Sequence, residues 1–399
     1  MPKSASKSES GFAHLFLFLI IVVAVIGAAG YFVIKKPKIS SEKSAFSSVE
    51  KATNCSNADR VQMTHLPMNI DDVASFTPYG LIAGAHVTPI DHLYFYPKEG
   101  PRDKYPVFAM ADGEITNIGV RGVNVGTGES RPPEYRYEIK HSCQTSTYFD
   151  LVTKLDQSIL DIAPDAATKG YSGSIKVTSG QEIGRIGAQS LDTAVYNSTL
   201  VLPGFISPEM YKAEPWKVHT DDFLSYFDEP LKSQINTLNP RTTEPRSGKI
   251  DYDQPGKLIG NWFLEGTNGY AGPTEKQNNP GSNNKGYWDG HLAIFYDAVN
   301  TDTIILSFGS YNDDGPFPFA VKGNAPAPAD IGVDSGIVKY ELITAPNPFN
   351  PTQGYQDTSV MGVALFQVLE GEKLKVETFP GKTTAQVTGF TNAVQIYER

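Results

Sequence analysis

A run of twenty residues without a charged side chain, Leu15–Ile34, most constrains how this chain can fold. At about 1.5 Å of rise per residue, a helix of this length crosses a hydrocarbon layer of about 30 Å. Lys35, Lys36 and Lys38 follow the run directly, and no small-residue cleavage site of the A-x-A kind is clear. We therefore expect a transmembrane helix that remains as an uncleaved anchor, rather than a signal peptide that is removed.

The charges around this run do not decide its orientation. Lys3, Lys7 and the terminal amine precede it, and three lysines follow it. Cys55 and Cys143 are the two cysteines of the chain, an even number that can form one disulfide outside the cell. Two unpaired thiols are the alternative. We expect a single-pass protein of the cell membrane with its C-terminal domains on the extracytoplasmic side.

The remaining composition indicates a mainly β fold. Its 28 prolines, 36 glycines, 21 phenylalanines and 20 tyrosines favour short strands and turns over helical bundles. A length of 399 residues allows two domains with sizeable cores. The net charge of -10 argues against a nucleic-acid partner, because phosphate contacts need a basic surface.

The order of polar and strand-like segments predicts five regions. Strand-like runs such as "YRYEIKH" and "TIILSFGSY" occur in two separate parts of the chain. Between them, Ser207 and Thr220 are candidate N-caps of helices. The regions are a tail and transmembrane anchor (1–35), a stalk (36–60), a first β domain (61–205), a helical or linker segment (206–248) and a second β domain, a barrel or sandwich (249–399).

Four motifs in the first β domain occur in an order that resembles a known family. They are "GLIAGAHVTPIDHLYFY", "PVFAMADGEITNIGV", "YRYEIKHSCQTSTYFDLVTKL" and "VTSGQEIGRIG". Together they resemble the lysostaphin-like M23 metallopeptidases, over about a third of the chain. The resemblance implies an antiparallel β domain of the duplicated hybrid motif fold.

The resemblance also implies a zinc site, of which this chain has only part. Family members hold zinc with a His and an Asp of the first motif, here His86 and Asp91, and with a His of a late H-x-H sequence. The segment that should carry the late motif, "SLDTAVYN", contains no histidine, and Asp150 replaces the histidine of a "Y-x-H-L" sequence. We therefore expect His86 and Asp91 to be vestigial metal ligands. We expect no catalytic residue and no cofactor; a bound zinc ion is the alternative.

The neighbouring residues offer substitutes for the missing ligand. His92 is next to Asp91, but adjacent residues of a strand face opposite sides, so we do not expect these two to share an ion. In place of the late H-x-H, we expect the strand "LDTAVYN" to present Asp192 or Ala194, or Thr193 if the register is shifted by one.

A domain that has lost its catalytic groups retains its groove, which favours a binding function. The aromatic residues Tyr94, Phe95, Tyr96 and Tyr148 could line this groove and stack on sugar rings, or could belong to the core. We expect binding to peptidoglycan or to an envelope protein, with regulation of a true hydrolase as one role. One alternative is an active zinc metallopeptidase with atypical ligands.

The second alternative is a pilus-associated or adhesive surface protein. The segment "SGFAHLFLFLIIVVAVIGAAG" resembles the start of a type IV pilin, with Gly11 and Phe12 at the processing site. Phe16 stands where that family has a glutamate. In the second β domain, "GKLIGNWFLEGT" resembles the G-x-W strand of lipocalin-type barrels through Gly260 and Trp262, although any strand that begins with a buried tryptophan would explain it equally well.

Overall fold

The computed structural model describes residues 61–83, 86–121, 132–273, 287–312, 317–346 and 359–399. The predicted anchor Leu15–Ile34, the stalk and Cys55 lie outside the described residues. Within those ranges, no helix has the length and apolar character needed to cross a bilayer.

The first half of the described chain is an antiparallel β structure. Its strands are β1 Val73–Thr77, β2 Leu93–Pro97, β3 Tyr105–Phe108, β4 Gly113–Arg121, β5 Glu134–Lys140, β6 Thr145–Val152, β7 Lys154–Leu155, β8 Tyr171–Val177, β9 Glu182–Ile186 and β10 Leu191–Asn197. Among described residues they form a seven-stranded sheet in the order β1-β2-β10-β6-β5-β4-β8 and a three-stranded sheet in the order β3-β9-β7. Two short helices, α1 Gln157–Ile162 and α2 Ala166–Lys169, connect β7 to β8.

Alternation of residue types explains why these strands pack as they do. In β5, Tyr135, Tyr137 and Ile139 are buried at every second position. The Tyr137 hydroxyl donates a 2.6 Å hydrogen bond to the Ile183 carbonyl, so this buried phenol is satisfied. Phe149 of the next strand is also fully buried, and burial of such a side chain contributes about 1.5–3 kcal/mol.

The segment after β10 is helical in short pieces. Three 3₁₀ turns, Pro208–Tyr211, Pro215–His219 and Phe223–Tyr226, precede the helix α3 Leu231–Leu238. The expected N-cap at Thr220 is wrong, since Thr220 ends the second turn and its hydroxyl donates to the Lys217 carbonyl at 3.0 Å.

The second half forms a closed eight-stranded antiparallel barrel within the described residues. The prediction of a barrel or sandwich is therefore resolved as a barrel. Its strands are β11 Gly260–Leu264, β12 His291–Tyr296, β13 Ile304–Phe308, β14 Phe317–Val321, β15 Val338–Thr344, β16 Gly362–Leu369, β17 Lys373–Pro380 and β18 Gln395–Glu398. Pairing of β11 with β18 closes the barrel.

The two faces of the barrel strands have different partners. Leu292 and Ile294 of β12 belong to one core with Trp262. The alternate residues Ala293 and Phe295 pack in a separate cluster that also contains Tyr252 and Ile82, so this face of the barrel contacts the first half of the chain. The barrel is therefore joined to the first β structure by apolar packing.

Gly260 and Trp262 have a structural role at the start of the barrel. The Trp262 ring is buried, and its Nε1 donates to the Leu258 carbonyl at 2.9 Å. Gly260 has a φ of 129°, and a Cβ at this position would lie 2.4 Å from both Arg399 and Asp253. Only glycine fits a position with this backbone conformation and so little space.

Candidate functional site

A cavity of about 510 Å³ lies over one face of the seven-stranded sheet. Strands β2, β4, β5, β6 and β10 each contribute to its wall. Glu214 and Trp216, from the segment of short turns, and Tyr270, from the connection between β11 and β12, complete the lining. The cavity therefore lies where the first β structure meets residues that precede and follow the first barrel strand.

Strand pairing brings three polar side chains of the cavity together. Asp192 of β10 is opposite Asp150 of β6 on one side and opposite Tyr94 of β2 on the other. Directly paired residues share a face of the sheet, and all three line the cavity. Asp192 is thus presented to the cavity, as expected for this strand, whereas the Thr193 hydroxyl donates to the Tyr148 carbonyl at 2.8 Å.

Asp91, one of the two expected metal ligands, forms a buried ion pair. Its Oδ1 accepts a 2.9 Å hydrogen bond from Lys217 Nζ, and the two side chains are only 7% and 2% exposed. Burial opposes ionisation of Asp91, but the Lys217 ammonium and His92 outweigh it, so the pKa of this carboxyl lies well below its usual range. Asp91 is therefore a carboxylate whose charge is already balanced by the protein.

His92 lies at the centre of the cavity's polar groups. Its Nδ1 is 3.7 Å from Asp91 Oδ1, and its Nε2 is 3.0 Å from the Tyr94 hydroxyl and 3.7 Å from Asp192 Oδ2. The expectation that Asp91 and His92 face opposite sides is wrong. Both residues lie in a bend before β2, which begins only at Leu93, so strand alternation does not apply to them.

His86, the other expected ligand, packs against His92. Their ring centroids are 5.6 Å apart in an edge-to-face arrangement. The Nδ1 atom of His86 is buried and has no hydrogen-bond partner within the described part of the chain. Burial, with smaller contributions from His92 and Lys217, lowers the pKa of His86 to about 3, so the ring is neutral at physiological pH.

Two arginines converge on one buried carboxylate at the other side of the cavity. Arg136 donates to Asp150 Oδ2 from Nε at 2.9 Å and from Nη2 at 2.6 Å, and Arg121 Nη1 donates to the same oxygen. The Asp150 side chain is 1% exposed, whereas Arg121 and Arg136 are 49% and 37% exposed. The position that replaces the family's histidine therefore anchors a pair of guanidinium groups, which we call the arginine pair.

The remaining acidic groups of the cavity hold protons more tightly than usual. Burial raises the pKa of Asp192 to about 7, with a further contribution from the charge on Asp150. Burial also raises the pKa of Glu214. Near neutral pH, Asp192 therefore offsets the charge of the arginine pair less than an ordinary carboxylate would.

The aromatic residues divide between cavity and core. Tyr94 and Tyr148 line the cavity, with Tyr196 and Trp216 beside them. Tyr148 and Tyr196 are only 5% exposed and also belong to the main core, whereas Phe95, at 1% exposure, belongs to that core without lining the cavity. Lining the cavity and packing in the core are therefore combined in Tyr148.

The residues around Asp91 do not fit a zinc ion. A divalent cation at Asp91 Oδ1 would lie next to the buried Lys217 ammonium, and two such charges at this separation repel strongly. Within the described ranges, no group of three His, Cys, Asp or Glu residues could hold a metal ion. His141 is held elsewhere, with its two ring nitrogens 2.8 Å from the Asp112 carbonyl and 2.8 Å from the Thr147 hydroxyl.

Sequence reasoning missed the basic residues of this site. Lys217 is 126 residues beyond Asp91 in the sequence, and no motif links the two. The signal that could have linked Arg121 with Arg136 is the pairing of their strands, β4 and β5. This pairing places Arg136 opposite Gly119, which is two residues before Arg121.

No protein-family model and no curated protein matches this chain. Among solved structures, Helicobacter pylori Csd3 is 18% identical with a TM-score of 0.22, and the match covers 35% of this chain and 31% of Csd3. The chain thus spans about a third of the Csd3 structure. The solution structure of lysostaphin is 10% identical with a TM-score of 0.26 and covers 84% of this chain and 90% of lysostaphin. TM-scores of this size do not establish a shared fold.

Proposed function

We propose that this protein is a membrane-anchored, non-hydrolytic binding module of the cell envelope, and that its cavity holds a peptidoglycan-type polymer. The observation that carries the proposal is the arginine pair, in which two half-exposed guanidinium groups share one buried carboxylate. Two cations face one anion, so a positive charge remains for a ligand. Arg121 and Arg136 are well suited to bind a carboxylate, because a guanidinium group presents its donors in a planar fork.

The tyrosines that line the cavity support binding of the sugar rings of a glycopeptide ligand. Tyr94 and Tyr148 lie beside the arginine pair, and the Arg136 guanidinium carbon is 5.2 Å from the centre of the Tyr148 ring. Aromatic faces with a polar edge suit sugar rings, which are apolar on one face and carry hydroxyls at the rim. A polymer of sugars that bear peptide carboxylates has both features.

The ion pair at Asp91 supports binding without cleavage. Zinc peptidases need a metal-bound water, which requires three protein ligands and one open position. Asp91 is one of the ligands that such a site would need, and its carboxylate already accepts a hydrogen bond from the Lys217 ammonium. We therefore interpret the resemblance of the sequence motifs to M23 peptidases as a sign of common origin, and we propose no hydrolytic step for this cavity.

Co-sedimentation with purified insoluble peptidoglycan tests the proposal. The full chain in mild detergent should sediment with the polymer, and Arg121→Gln should weaken binding by about tenfold, because one charged hydrogen bond is lost. Arg121 is the better choice for substitution, since Arg136 still satisfies the buried Asp150. Arg185→Gln is the matched control, because Arg185 pairs with Glu182 on β9, outside the cavity lining. Equal binding by Arg121→Gln and the wild type would refute the role of the arginine pair.

A second measurement separates this proposal from an active peptidase. The zinc-treated wild-type protein is incubated with cross-linked peptidoglycan, and soluble peptides are analysed by mass spectrometry. We expect no cleaved peptides, and we expect His86→Ala to sediment with the polymer nearly as the wild type does. Peptides that the wild type releases and His86→Ala does not would identify a working metallopeptidase.

A further inference from the structure

Lys217 is one of the most deeply buried cations among the described residues, with a side chain that is 2% exposed. Its Nζ lies 2.9 Å from Asp91 Oδ1, 3.4 Å from the Pro89 carbonyl oxygen and 5.3 Å from the centre of the Tyr270 ring. The Asp91 side chain is 7% exposed. An amine nitrogen and a carboxyl group are therefore held within hydrogen-bond distance in a site that largely excludes water.

Burial makes an ion pair a costly arrangement for these two groups. Removal of an ammonium and a carboxylate from water is unfavourable for each ion, and their mutual attraction repays this cost only in part. An amide carries no net charge, so burial costs it much less. Two groups that are fixed side by side also react as though they were highly concentrated. Loss of water between Lys217 and Asp91 to give an amide is therefore favoured here more than between the same groups in solution.

Glu214 is placed to transfer the protons that such a reaction needs. It directly precedes the turn Pro215–His219, which contains Lys217, and it lines the same cavity as Asp91. The charges of Lys217 and Asp91 both influence the ionisation of Glu214, and its carboxyl hydrogen-bonds with the Tyr270 side chain. A carboxyl group in this position can accept a proton from an amine and pass it to a leaving oxygen.

We propose that the ion pair between Lys217 and Asp91 is the precursor of an intramolecular isopeptide bond, with Glu214 as the proton shuttle. One Nζ proton first passes to the Asp91 carboxylate along their hydrogen bond, which gives a free amine and a carboxylic acid. Nζ then attacks Cγ of Asp91, and the bond from Cγ to the hydroxyl breaks. Glu214 moves a second Nζ proton to the departing hydroxyl. One ammonium and one carboxylate thus give one amide and one water molecule, with no oxidant or cofactor.

The bond would tie two walls of the cavity together. Asp91 lies in the bend before β2, and Lys217 is 126 residues further along the chain, in the same turn as Trp216. A covalent link between them fixes this turn, and with it Trp216 of the cavity lining, against the seven-stranded sheet. The inference does not depend on the ligand proposed for the cavity, because it concerns a bond between two groups of the protein.

Mass spectrometry of the reduced full chain tests the proposal. The folded wild type should be lighter than its sequence mass by one water molecule. Trypsin cleaves after unmodified lysine and arginine, and it does not cleave after an acylated lysine. The wild-type digest should therefore contain a branched peptide in which residues 61–98 are linked to residues 213–232, with Asp91 and Lys217 at the branch point.

Lys217→Arg is the matched variant, because a guanidinium keeps the charge and can still donate to Asp91, but it does not form the amide. It should have its full sequence mass. Lys249 is an internal control, because its half-exposed ion pair with Asp251 lies outside the cavity lining, and trypsin should cleave after it. In Glu214→Gln, followed over time after cell-free synthesis, the bond should form at least about 100 times more slowly than in the wild type.

Three results would count against the proposal. A folded wild type of full sequence mass, whose digest yields residues 213–217 and 218–232 as separate peptides, would show that the pair remains ionic. A loss of water that persists in Lys217→Arg would place the modification elsewhere in the chain. Bond formation by Glu214→Gln at the wild-type rate would show that Glu214 is not the proton shuttle.

Discussion

The guanidinium carbon of Arg399 lies 3.9 Å from the centre of the Trp262 ring. The same guanidinium donates to three backbone carbonyls, those of Ile259, Gln254 and Lys257, at 2.6–2.8 Å. Trp262 lies in the middle of the first barrel strand and Arg399 directly follows the last one, so this contact joins the two strands that close the barrel. A local cation–π contact therefore stabilises a pairing between distant parts of the chain.

Replacement of Arg399 should destabilise the barrel strongly. Arg399→Ala leaves three carbonyls and the Glu372 carboxylate without this donor, and we expect a loss of about 3–5 kcal/mol in the free energy of unfolding. Arg399→Lys should lose less, although one ammonium cannot reproduce the planar fork. Denaturant unfolding followed by tryptophan fluorescence measures the change. The control is Lys373→Ala, because its exposed ion pair with Glu265 should contribute little to stability. Equal losses of stability in the two variants would contradict the role assigned to Arg399.

Asp192 should make stability depend on pH in the direction opposite to an ordinary carboxylate. Burial raises its pKa to about 7, so the folded state binds this proton more tightly than the unfolded state. Its contribution is therefore favourable at low pH and is lost as pH rises from about 4 to about 7. The unfolding free energy of Asp192→Asn, relative to the wild type, should rise over this interval by at most about 4 kcal/mol.

Urea unfolding at pH 4 to 8 measures this difference. Subtracting the wild-type value removes the contributions that the two proteins share, including those of the buried His86 and His291, whose pKa values are lowered to about 3 by burial. Asp165→Asn is the control, since Asp165 is exposed and paired only with Lys169 on the surface of its helix among described contacts. A flat difference for Asp192→Asn would show that this carboxyl is ionised normally.

The disulfide of this chain is expected to join Cys55 and Cys143. The structure has Cys143 disulfide-bonded, whereas Cys55 lies outside the described residues. Such a bond closes a loop of about 88 residues, and the chain-entropy model gives a stabilisation of about 4–5 kcal/mol. Peptide mapping under non-reducing conditions should recover one cross-linked peptide that contains both cysteines. Cys143 linked to a second copy of the chain would disprove the intramolecular bond.

The predicted anchor is tested by fractionation. The protein should remain in the membrane pellet after washing with high salt, because apolar burial of Leu15–Ile34 is insensitive to screening. Detergent should release it, and deletion of residues 15–34 should transfer it to the soluble fraction. A soluble mature protein whose N-terminus lies between residues 28 and 45 would show instead that the segment is a cleaved signal peptide.

Local pattern was enough to predict most of the strands. The run "YRYEIKH" contains most of β5, and "TIILSFGSY" contains β13. The first alternates apolar and polar residues and the second is a continuous apolar run, and both patterns are typical of strands. Strands with weaker patterns were missed. Strand β8 lies at a sheet edge with an exposed, glycine-containing sequence, and β14 contains Pro318, which ordinarily argues against a strand.

Residue pattern alone was enough to predict a β-rich chain and to predict that His86 and Asp91, which resemble part of a metal motif, lack its third ligand. Those properties depend on residue types and on short spacings, which are local. Three features became visible only in the folded chain: Lys217 neutralises Asp91, Arg121 and Arg136 meet at Asp150, and the second β region closes as a barrel. The physical reason is that a buried charge selects its partner by distance in space, and strand pairing brings together residues that sequence separation keeps unrelated.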